Sequence, residues 1–398
     1  MSLLLVYNPV CGSSSGREIA EQEVLPLLAK HGIVPAQVAG TQYAGHAGIL
    51  VLEFLEKMSP HSDHTIILVS GDGTLHEIIN ALHERKSSEI PVCTIKLVLV
   101  PGGTANALHS SLFPPSPGSE TTLSAVHAYL SSSSSLKPLA IAKTIIQAAD
   151  DSSSTGGRTS ILSAVVTSTS LHACILHDAE ALRATVPGLD RFKLAAAQNA
   201  TRWYNAHLRL LPSTRVQSSP VLQYDALLGR FVAAPNADTP VELAGPFAYM
   251  LSTVNVDRLE PTFRITPLQR TYPPSPPTTM DVVIVRPQRD PSLSGTGDAQ
   301  RELFKDKVWA VMGGAYQDGV HIAFAYGAEG KVEPASKGQP VVEYFRVGGW
   351  EWIPGDDDER AYLVCADGAI LTIPTGGKAV SRVLEGQELG FNISVYSL

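Results

Sequence analysis

The sequence predicts an α/β domain built on a parallel sheet, followed by a β-rich second domain. In the first third of the chain, short apolar runs alternate with polar turns and helical stretches, which is typical of strand-loop-helix units. Beyond residue 150 most of the apolar runs have the length of a strand. A chain of 398 residues also exceeds what one hydrophobic core usually organises, which favours two domains.

Four strands are predicted in the first domain. The first, Leu3–Tyr7, leads through a polar loop into an amphipathic helix at Arg17–His31. The second strand is predicted at Val34–Gly40, the third at Thr65–Val69 and the fourth at Lys96–Val100, each followed by a turn and a helix. This order favours a parallel sheet.

The domain boundary is expected where the composition shifts. Serine-rich segments at Ser131–Ser135 and Asp150–Gly157 indicate linkers, so we divide the chain into residues 1–150 and 151–398. Strand-sized runs in the second domain predict an antiparallel β-sandwich; they are Ser160–Thr169, Val221–Leu228, Phe247–Val254, Met280–Val285, Val320–Ala325, Val341–Val347, Arg360–Cys365 and Ala369–Ile373.

Other segments of the second domain are not predicted as strands. Asp178–Leu211 alone has a clear helical pattern. The proline-rich Tyr272–Pro277 and the polar Arg286–Arg301 are predicted to be exposed loops.

Composition excludes some functions. The net charge of -8 and the lack of any Lys- or Arg-rich stretch disfavour a nucleic-acid partner. The 4 cysteines show no C-x-x-C spacing and the first residues lack the pattern of a signal peptide, so we expect a cytoplasmic setting. The longest apolar runs are strand-sized, so any association with intracellular membranes is expected to be peripheral.

Two glycine-rich turns follow the third and fourth predicted strands: Ser70-Gly71-Asp72-Gly73-Thr74 and Pro101-Gly102-Gly103-Thr104-Ala105-Asn106. Glycine turns between a strand and a helix let backbone N–H groups approach phosphate oxygens. The chain has neither the G-x-x-x-x-G-K-[ST] pattern nor a G-x-G-x-x-G after its first strand. The turns therefore indicate a polyphosphate site of another kind, in which Asp72 could accept the proton of an attacking hydroxyl.

Together with Asn8-Pro9, these turns resemble the catalytic domain of the diacylglycerol kinase and sphingosine kinase superfamily, whose nucleotide-binding domain is similar to that of NAD kinases. The resemblance is closer to sphingosine kinases because Ser70 opens the first turn, His76-Glu77 follows it, and Asn106-Ala107-Leu108 ends the second. Weaker matches extend into the second half at Ser170–Asp178, Arg191-Phe192, Val342–Phe345 and Asp367-Gly368.

The resemblance implies an ATP-dependent lipid kinase that uses Mg²⁺ and phosphorylates a sphingoid base or related lipid, with Asp72 as general base. Ser70, Gly71 and Gly73 would shape the substrate pocket, and Asp178, or Glu180 if the alignment slips, would contact the lipid headgroup. The residues expected around ATP are Asn8, Pro9, Val10, Thr41, Gln42, Tyr43, Ala44, Gly45, Glu77, Gly103, Thr104, Ala105, Arg191, Asp367 and Gly368.

The chain departs from the family pattern at three places. The loop Cys11–Gly16 lacks the basic residue often found there, Ala105 stands where the second turn usually has Gly, and Ala369 replaces the Glu of a D-G-E motif. Ala369 removes a carboxylate, which leaves open a non-catalytic lipid- or nucleotide-binding protein. A diacylglycerol or ceramide kinase is the other alternative.

Two further interpretations are weak. Gly12-Ser13-Ser14-Ser15-Gly16 fits the G-x-S-x-G pattern of serine hydrolases, but loop residues intervene after the first strand, where that pattern needs an abrupt turn. The histidines, including His76, His109, His172 and His177, show no metal-ligand spacing, so no metal held by protein side chains alone is predicted.

Overall fold

The structure of the protein is a computed structural model. It describes residues 2–58, 63–85, 94–116, 121–131, 135–149, 159–186, 188–213, 219–235, 237–274, 278–334, 337–384 and 386–397. The chain divides into two compact units. The first consists of Met1–Ile141, Arg258–Pro261 and Leu384–Leu398, and the second of Ala142–Asp257 and Thr262–Val383. The serine-rich segment 150–157 and most of 131–135 lie outside the described residues.

The strands, in chain order, are β1 (Ser2–Tyr7), β2 (Gln37–Gly40), β3 (His64–Ser70), β4 (Thr94–Pro101), β5 (Ser135–Pro138), β6 (Ile141–Gln147), β7 (Thr159–Ser163), β8 (Val166–Thr169), β9 (Ala206–Leu211), β10 (Leu222–Asp225), β11 (Arg230–Ala233), β12 (Val241–Ala244), β13 (Tyr249–Thr253), β14 (Met280–Val285), β15 (Phe324–Tyr326), β16 (Val332–Pro334), β17 (Glu343–Val347), β18 (Gly349–Pro354), β19 (Leu363–Ala366), β20 (Ala369–Thr372), β21 (Lys378–Leu384) and β22 (Asn392–Ser397).

The α-helices are α1 (Gly16–Glu18), α2 (Leu25–Lys30), α3 (His46–Lys57), α4 (Asp72–Glu84), α5 (Ala107–Leu112), α6 (Ser124–Leu130), α7 (Ser170–Ala181), α8 (Asp190–Asn199), α9 (Leu268–Thr271), α10 (Asp298–Tyr316) and α11 (Gly386–Leu389). A π-helical segment, Ile19–Val24, joins α1 to α2. Short 3-10 helices occur at Pro287–Arg289, Val320–Ala323, Ala328–Gly330 and Glu359–Tyr362.

The first unit is built on a sheet in the order β2-β1-β3-β4-β22-β5, which confirms the predicted parallel α/β fold. The strands β1 to β4 and β22 run parallel, and β5 runs antiparallel to β22. Alternate strand residues such as Leu5, Val69 and Val100 pack against the segment from α1 to α2 and against α6. Helices cover the sheet, which is why β3 is buried along its whole length.

The C-terminal strand belongs to this sheet, so the first unit includes Leu384–Leu398 in addition to residues before the expected division at residue 150. β22 lies beside β4, with Asn392 opposite Thr94 and Val395 opposite Leu97. This pairing satisfies the backbone groups along the edge of β4 and buries Val395 completely. A partner almost 300 residues away along the chain leaves no local signal in the sequence.

The second unit contains two large antiparallel sheets, as predicted. One has the order β11-β10-β17-β14-β13-β8-β19-β20 and the other β12-β9-β18-β21-β6-β7. The buried indole of Trp350 on β18 donates a hydrogen bond to the hydroxyl of Ser252 on β13 at 2.9 Å, so the two sheets meet in a shared core. This is the arrangement of a β-sandwich.

Two predictions for this unit were wrong. The helical pattern predicted for Asp178–Leu211 stops at Asn199, and Ala206–Leu211 is instead strand β9, because strands on both sides pair with it. The segment predicted as an exposed polar loop contains the start of α10 and a buried Arg286, which pairs with Glu343 at 2.7 Å. The ion pair offsets the cost of burying the charge, and its partner is distant in sequence.

Some other strands begin at a different residue in the structure than the sequence predicts. Most of Val320–Ala325 forms a 3-10 helix, with β15 starting only at Phe324, and Arg360–Cys365 begins in another 3-10 turn. Tyr272 is partly exposed, and residues 275–277 of the proline-rich segment lie outside the described residues. Among the described residues, no helix is long and apolar enough to span a bilayer.

Candidate active site

The carboxyl ends of β1 to β4 lie side by side at one edge of the parallel sheet. Tyr7 at the end of β1 is in register with Gly40 on β2, and Ser70 at the end of β3 is in register with Pro101 on β4. The loops that follow these strands therefore converge. In open α/β sheets, ligands bind outside the carboxyl ends of the strands.

The glycine turns at this edge touch each other through their backbones. A Cβ atom on Gly103 would lie 2.5 Å from the Cα atom of Gly71, and one on Gly12 would lie 2.4 Å from the carbonyl oxygen of Gly102. Such distances are far below normal contact, so only glycine fits at these positions. The first loop and both glycine turns thus form one backbone cluster.

The side chains of Asn8 and Ser70 are tied to the start of α4. The Asn8 amide donates to the hydroxyl of Thr74 at 3.3 Å, and the Ser70 and Thr74 hydroxyls are hydrogen-bonded at 2.6 Å. The backbone N–H of Val10 donates to the Asn8 side-chain oxygen at 3.1 Å. These bonds give the loop after β1 a defined position beside the turn that carries Asp72.

Asp72 is the first residue of α4, and its carboxylate organises the second glycine turn. Its Oδ2 accepts the backbone N–H of Ala107 at 2.7 Å and its Oδ1 that of Leu108 at 3.2 Å. These N–H groups open α5 and have no acceptor within their own helix. The carboxylate is therefore held in one orientation by backbone that the second turn supplies.

The second turn tolerates Ala105 because the residue with a positive φ angle in this turn is its neighbour, Asn106. Asn106 has a φ of 51° and Ala105 is not among the described residues with positive φ. The Asn106 side chain accepts the N–H of Gly103 at 2.9 Å and donates to its carbonyl at 2.7 Å, which closes the turn. This departure from the family pattern is thus compatible with the turn.

A small pocket lies beside Asp72 and is also lined by Ser70, Leu75, Asn106 and His109. Its enclosed space is about 10 Å³, which holds roughly one water-sized group. His109 is 4% exposed, and burial lowers the pKa of its ring to about 4. The ring is hydrogen-bonded to the backbone of Thr121, and its Nε2 has no partner. In the sequence, His109 stands out only as one of several histidines without metal-ligand spacing, and no local pattern places it in this pocket.

The other residues expected around ATP in the first unit lie at the same edge. Thr41 follows β2 and its N–H donates to the carbonyl of Tyr7 at 2.9 Å. Tyr43 stacks on His46 at the start of α3 with ring centroids 4.6 Å apart. The remaining members of this group are Pro9 and Val10 after β1, Gln42, Ala44 and Gly45 before α3, Glu77 on α4, and Thr104 in the second turn. Gly73, which was expected at the substrate pocket, also lies on α4.

In the second unit, the carboxylate of Asp178 already has charged and polar partners. Its Oδ1 accepts from Arg360 at 2.7 Å and its Oδ2 from Asn199 at 2.8 Å. Burial pushes the pKa of Asp178 upward, but hydrogen bonds from Asn199, His177 and Arg360 outweigh it and lower the pKa to about 2. The fallback residue Glu180 is exposed and pairs with Arg183. Sequence analysis missed Arg360 and Asn199 because neither is near Asp178 in the chain.

Arg191 lies in the first turn of α8. Its guanidinium donates to the carbonyl of Gly188 at 3.0 Å and sits 4.6 Å from the ring centroid of Phe192. These contacts are local to α8 and the residues just before it.

Asp367 and Gly368 form the two-residue turn between β19 and β20, with φ angles of 48° and 96°. The Asp367 carboxylate accepts the backbone N–H groups of Ala164, Val165 and Val166 at 2.7, 3.0 and 2.8 Å. Asp367 therefore joins this turn to the segment between β7 and β8. Such bonds to an ionised acceptor are stronger than those between neutral groups.

Replacing Asp367 with Ala is expected to lower the free energy of unfolding by about 2–4 kcal/mol, because three buried N–H groups lose their acceptor. Urea denaturation followed by circular dichroism measures this change. Asp225→Ala is the matched control: its carboxylate accepts two N–H groups in an exposed hairpin, where water can replace it. Equal losses in both variants would show that Asp367 has no special structural role.

Comparison with known proteins agrees with this geometry. Residues 2–136 match the family model described as the diacylglycerol kinase catalytic domain. Over 110 residues the chain is 36% identical to sphingosine kinase 2 of Arabidopsis thaliana, which covers 28% of this chain and 22% of that protein. It is 34% identical over 107 residues to the mitochondrial acylglycerol kinase of Xenopus laevis, covering 27% and 23%. The matches thus span less than a quarter of these relatives.

The fold similarity extends further than the sequence similarity. A crystal structure from Bacillus anthracis str. Sterne, of a protein assigned as a diacylglycerol kinase, aligns with 98% of this chain and 94% of its own, with a TM-score of 0.51 and 16% identity. At this identity the likeness establishes the fold only. The family match, the order of the glycine turns and this fold agree: residues 2–136 are similar to the catalytic domain found in diacylglycerol kinases and sphingosine kinases.

Proposed function

We propose that this protein is a lipid kinase that transfers the γ-phosphoryl group of ATP to a hydroxyl of a sphingoid base. The observation that carries the proposal is the position of Asp72: its carboxylate is held by two backbone N–H groups beside two glycine turns in direct contact. The sphingosine kinases among the relatives support the substrate class.

The sheet edge fits a nucleotide. Gly12, Gly71 and Gly103 bring backbone so close together that no side chain intrudes, which is how glycine loops admit phosphate groups. Asn8–Val10, Thr41–Gly45 and Gly103–Ala105 would surround ATP, and Glu77 would lie one turn into α4. In the second unit, Arg191, Asp367 and Gly368 stay in the proposal on the family resemblance alone.

Mg²⁺ would accompany the nucleotide and neutralise charge on the transferred group. In kinases it is held by phosphate oxygens and water together with one or two carboxylates. Among the described residues, no group of three or more His, Cys, Asp or Glu side chains forms a separate metal site.

Asp72 has a simple chemical task in this reaction. The acceptor hydroxyl forms a bond to phosphorus, the bond to ADP breaks, and the hydroxyl proton passes to the Asp72 carboxylate. The N–H groups of Ala107 and Leu108 keep the carboxylate oriented while this happens. Ser70, Gly71 and Gly73 would border the acceptor.

Asp178 would recognise the ammonium group of a sphingoid base. Its depressed pKa keeps it ionised at neutral pH, and a carboxylate pairs favourably with a cation. Arg360 already occupies one of its oxygens, so a substrate ammonium would have to share or displace that ion pair. Ceramide and diacylglycerol carry no ammonium and would not use Asp178 in this way.

The test is transfer of labelled γ-phosphate from ATP with Mg²⁺ to sphinganine, ceramide and diacylglycerol in mixed micelles. The proposal predicts phosphorylation of sphinganine well above the other two lipids. Preference for ceramide or diacylglycerol would instead identify the kinase as one of those alternatives. Because the acceptor is a membrane lipid, we also expect peripheral contact with membranes, measurable as sedimentation with vesicles.

A non-catalytic binding protein is the second candidate function. It is favoured by Ala369, which lacks a carboxylate, and by the use of the Asp367 carboxylate in bonds to backbone. This candidate predicts ATP or lipid binding with no transfer to any of the three lipids.

A further inference from the structure

His109 has an incomplete set of hydrogen bonds in a place where a ligand can complete it. The ring is 4% exposed, lines the pocket beside Asp72, and leaves Nε2 without a partner. A buried polar atom with no partner costs free energy, and native proteins rarely leave one unless a bound group satisfies it. The buried His321 also has a ring nitrogen without a partner, so what distinguishes His109 is its place in the pocket beside Asp72.

The contact of the other ring nitrogen identifies the tautomer. The backbone of Thr121 forms a hydrogen bond that favours the protonated ring, as a carbonyl acceptor does. Nε2 has no partner, so Nδ1–H is the group that donates to Thr121. Burial keeps the ring neutral at physiological pH. In a neutral ring with its proton on Nδ1, Nε2 carries a lone pair and can only accept.

Any lipid group that binds Nε2 would have to offer it a hydrogen. The hydroxyl that is phosphorylated has a single hydrogen, and in the proposed reaction that hydrogen is given to Asp72. Nε2 is then left for a second donor on the same lipid. A sphingoid base carries two such groups near its reacting hydroxyl, an amino group and a second hydroxyl, whereas diacylglycerol carries none.

We propose that Nε2 of His109 accepts a hydrogen bond from the amino group or second hydroxyl of the acceptor lipid, and so selects sphingoid bases over lipids without such a donor. The inference rests on the proposed kinase function and adds a specificity-determining residue to it. The space beside Asp72 admits about one small group, which suits a single hydroxyl or amino group.

Two substitutions test the roles of the two ring nitrogens separately. His109→Asn keeps an amide N–H near the position of Nδ1, which can still donate to Thr121, but has no atom at the position of Nε2. His109→Gln places an amide oxygen near Nε2 and gives up the donor to Thr121. Their kcat/KM values are compared for sphinganine, for 3-deoxysphinganine, which lacks the second hydroxyl, and for octadecane-1,3-diol, which lacks the amino group.

The wild type is expected to prefer sphinganine over the analogue that lacks the donor bound by His109, by about 10-fold or more. His109→Asn should abolish that preference, with KM for ATP unchanged, and His109→Gln should retain most of it. The preference is a ratio within one preparation, so partial unfolding of a variant does not affect it. Which analogue loses its disadvantage tells whether the amino group or the hydroxyl is bound.

If His109→Asn discriminates among the three acceptors as the wild type does, the proposal is wrong and a bound water completes the ring's bonds. The same conclusion follows if His109→Gln loses the preference while His109→Asn keeps it, since the contact with Thr121 would then matter alone. Failure of the wild type to phosphorylate any lipid is a different result, which rejects the kinase function itself and this inference with it.

Discussion

Asp72→Asn is expected to lower kcat by about 100- to 10,000-fold, because the amide cannot take the proton that the acceptor hydroxyl must lose. Initial rates of phosphate transfer at saturating ATP and lipid measure the change. ATP affinity, measured by calorimetry, should fall much less, since the glycine turns that would hold the phosphates keep their sequence.

The control for this variant must report on folding. Asn retains one acceptor oxygen, but its NH₂ group would face one of the backbone N–H groups of Ala107 and Leu108, so some loss of stability is expected. Asp63→Asn is the matched substitution: Asp63 precedes β3 at the opposite end from the turns and forms a half-exposed ion pair with Lys96. It should leave kcat unchanged. A folded Asp72→Asn protein with more than a tenth of the wild-type rate would remove Asp72 from the mechanism.

Gly103→Ala is expected to push apart the backbones of the two glycine turns. The added Cβ would lie 2.5 Å from the Cα atom of Gly71, so the two glycine turns must separate. Overpacking of this kind typically costs about 1–3 kcal/mol. Because the same turns would contact the phosphates, we expect ATP affinity to fall by about 10-fold or more, measurable by calorimetry alongside urea denaturation.

Gly73→Ala is the control for Gly103→Ala, because it makes the same chemical change in the neighbouring turn. A Cβ on Gly73 meets no atom within 4 Å, and the residue lies in the first turn of α4 with no positive φ. Stability should stay the same or rise slightly, since Ala reduces the entropy of the unfolded chain. If both variants lose ATP affinity equally, backbone contact between the turns is not what shapes the site.

The parts of this protein that the sequence predicts well are those with local causes. Apolar runs in β1 to β4, each followed by a turn and a helix, predict a parallel sheet because buried strands need apolar residues along their length. The glycines at positions 71 and 103 mark places where no side chain fits, and in the structure their turns are in contact. Asp72 was singled out because it lies inside such a turn.

Sequence alone determined the fold class, the positions of the first four strands along the chain and the two glycine turns that follow adjacent strands, because periodicity and turn chemistry act over a few residues. Only the tertiary structure decided that β22 joins the first sheet, that Arg286 is buried against Glu343, and that Asp178 pairs with Arg360. It also showed that His109 has an acceptor atom without a partner beside Asp72. Each of these contacts joins residues that are distant in the sequence and meet only on folding. Burial strengthens their hydrogen bonds and ion pairs, and a local sequence pattern does not indicate which residues will be buried together.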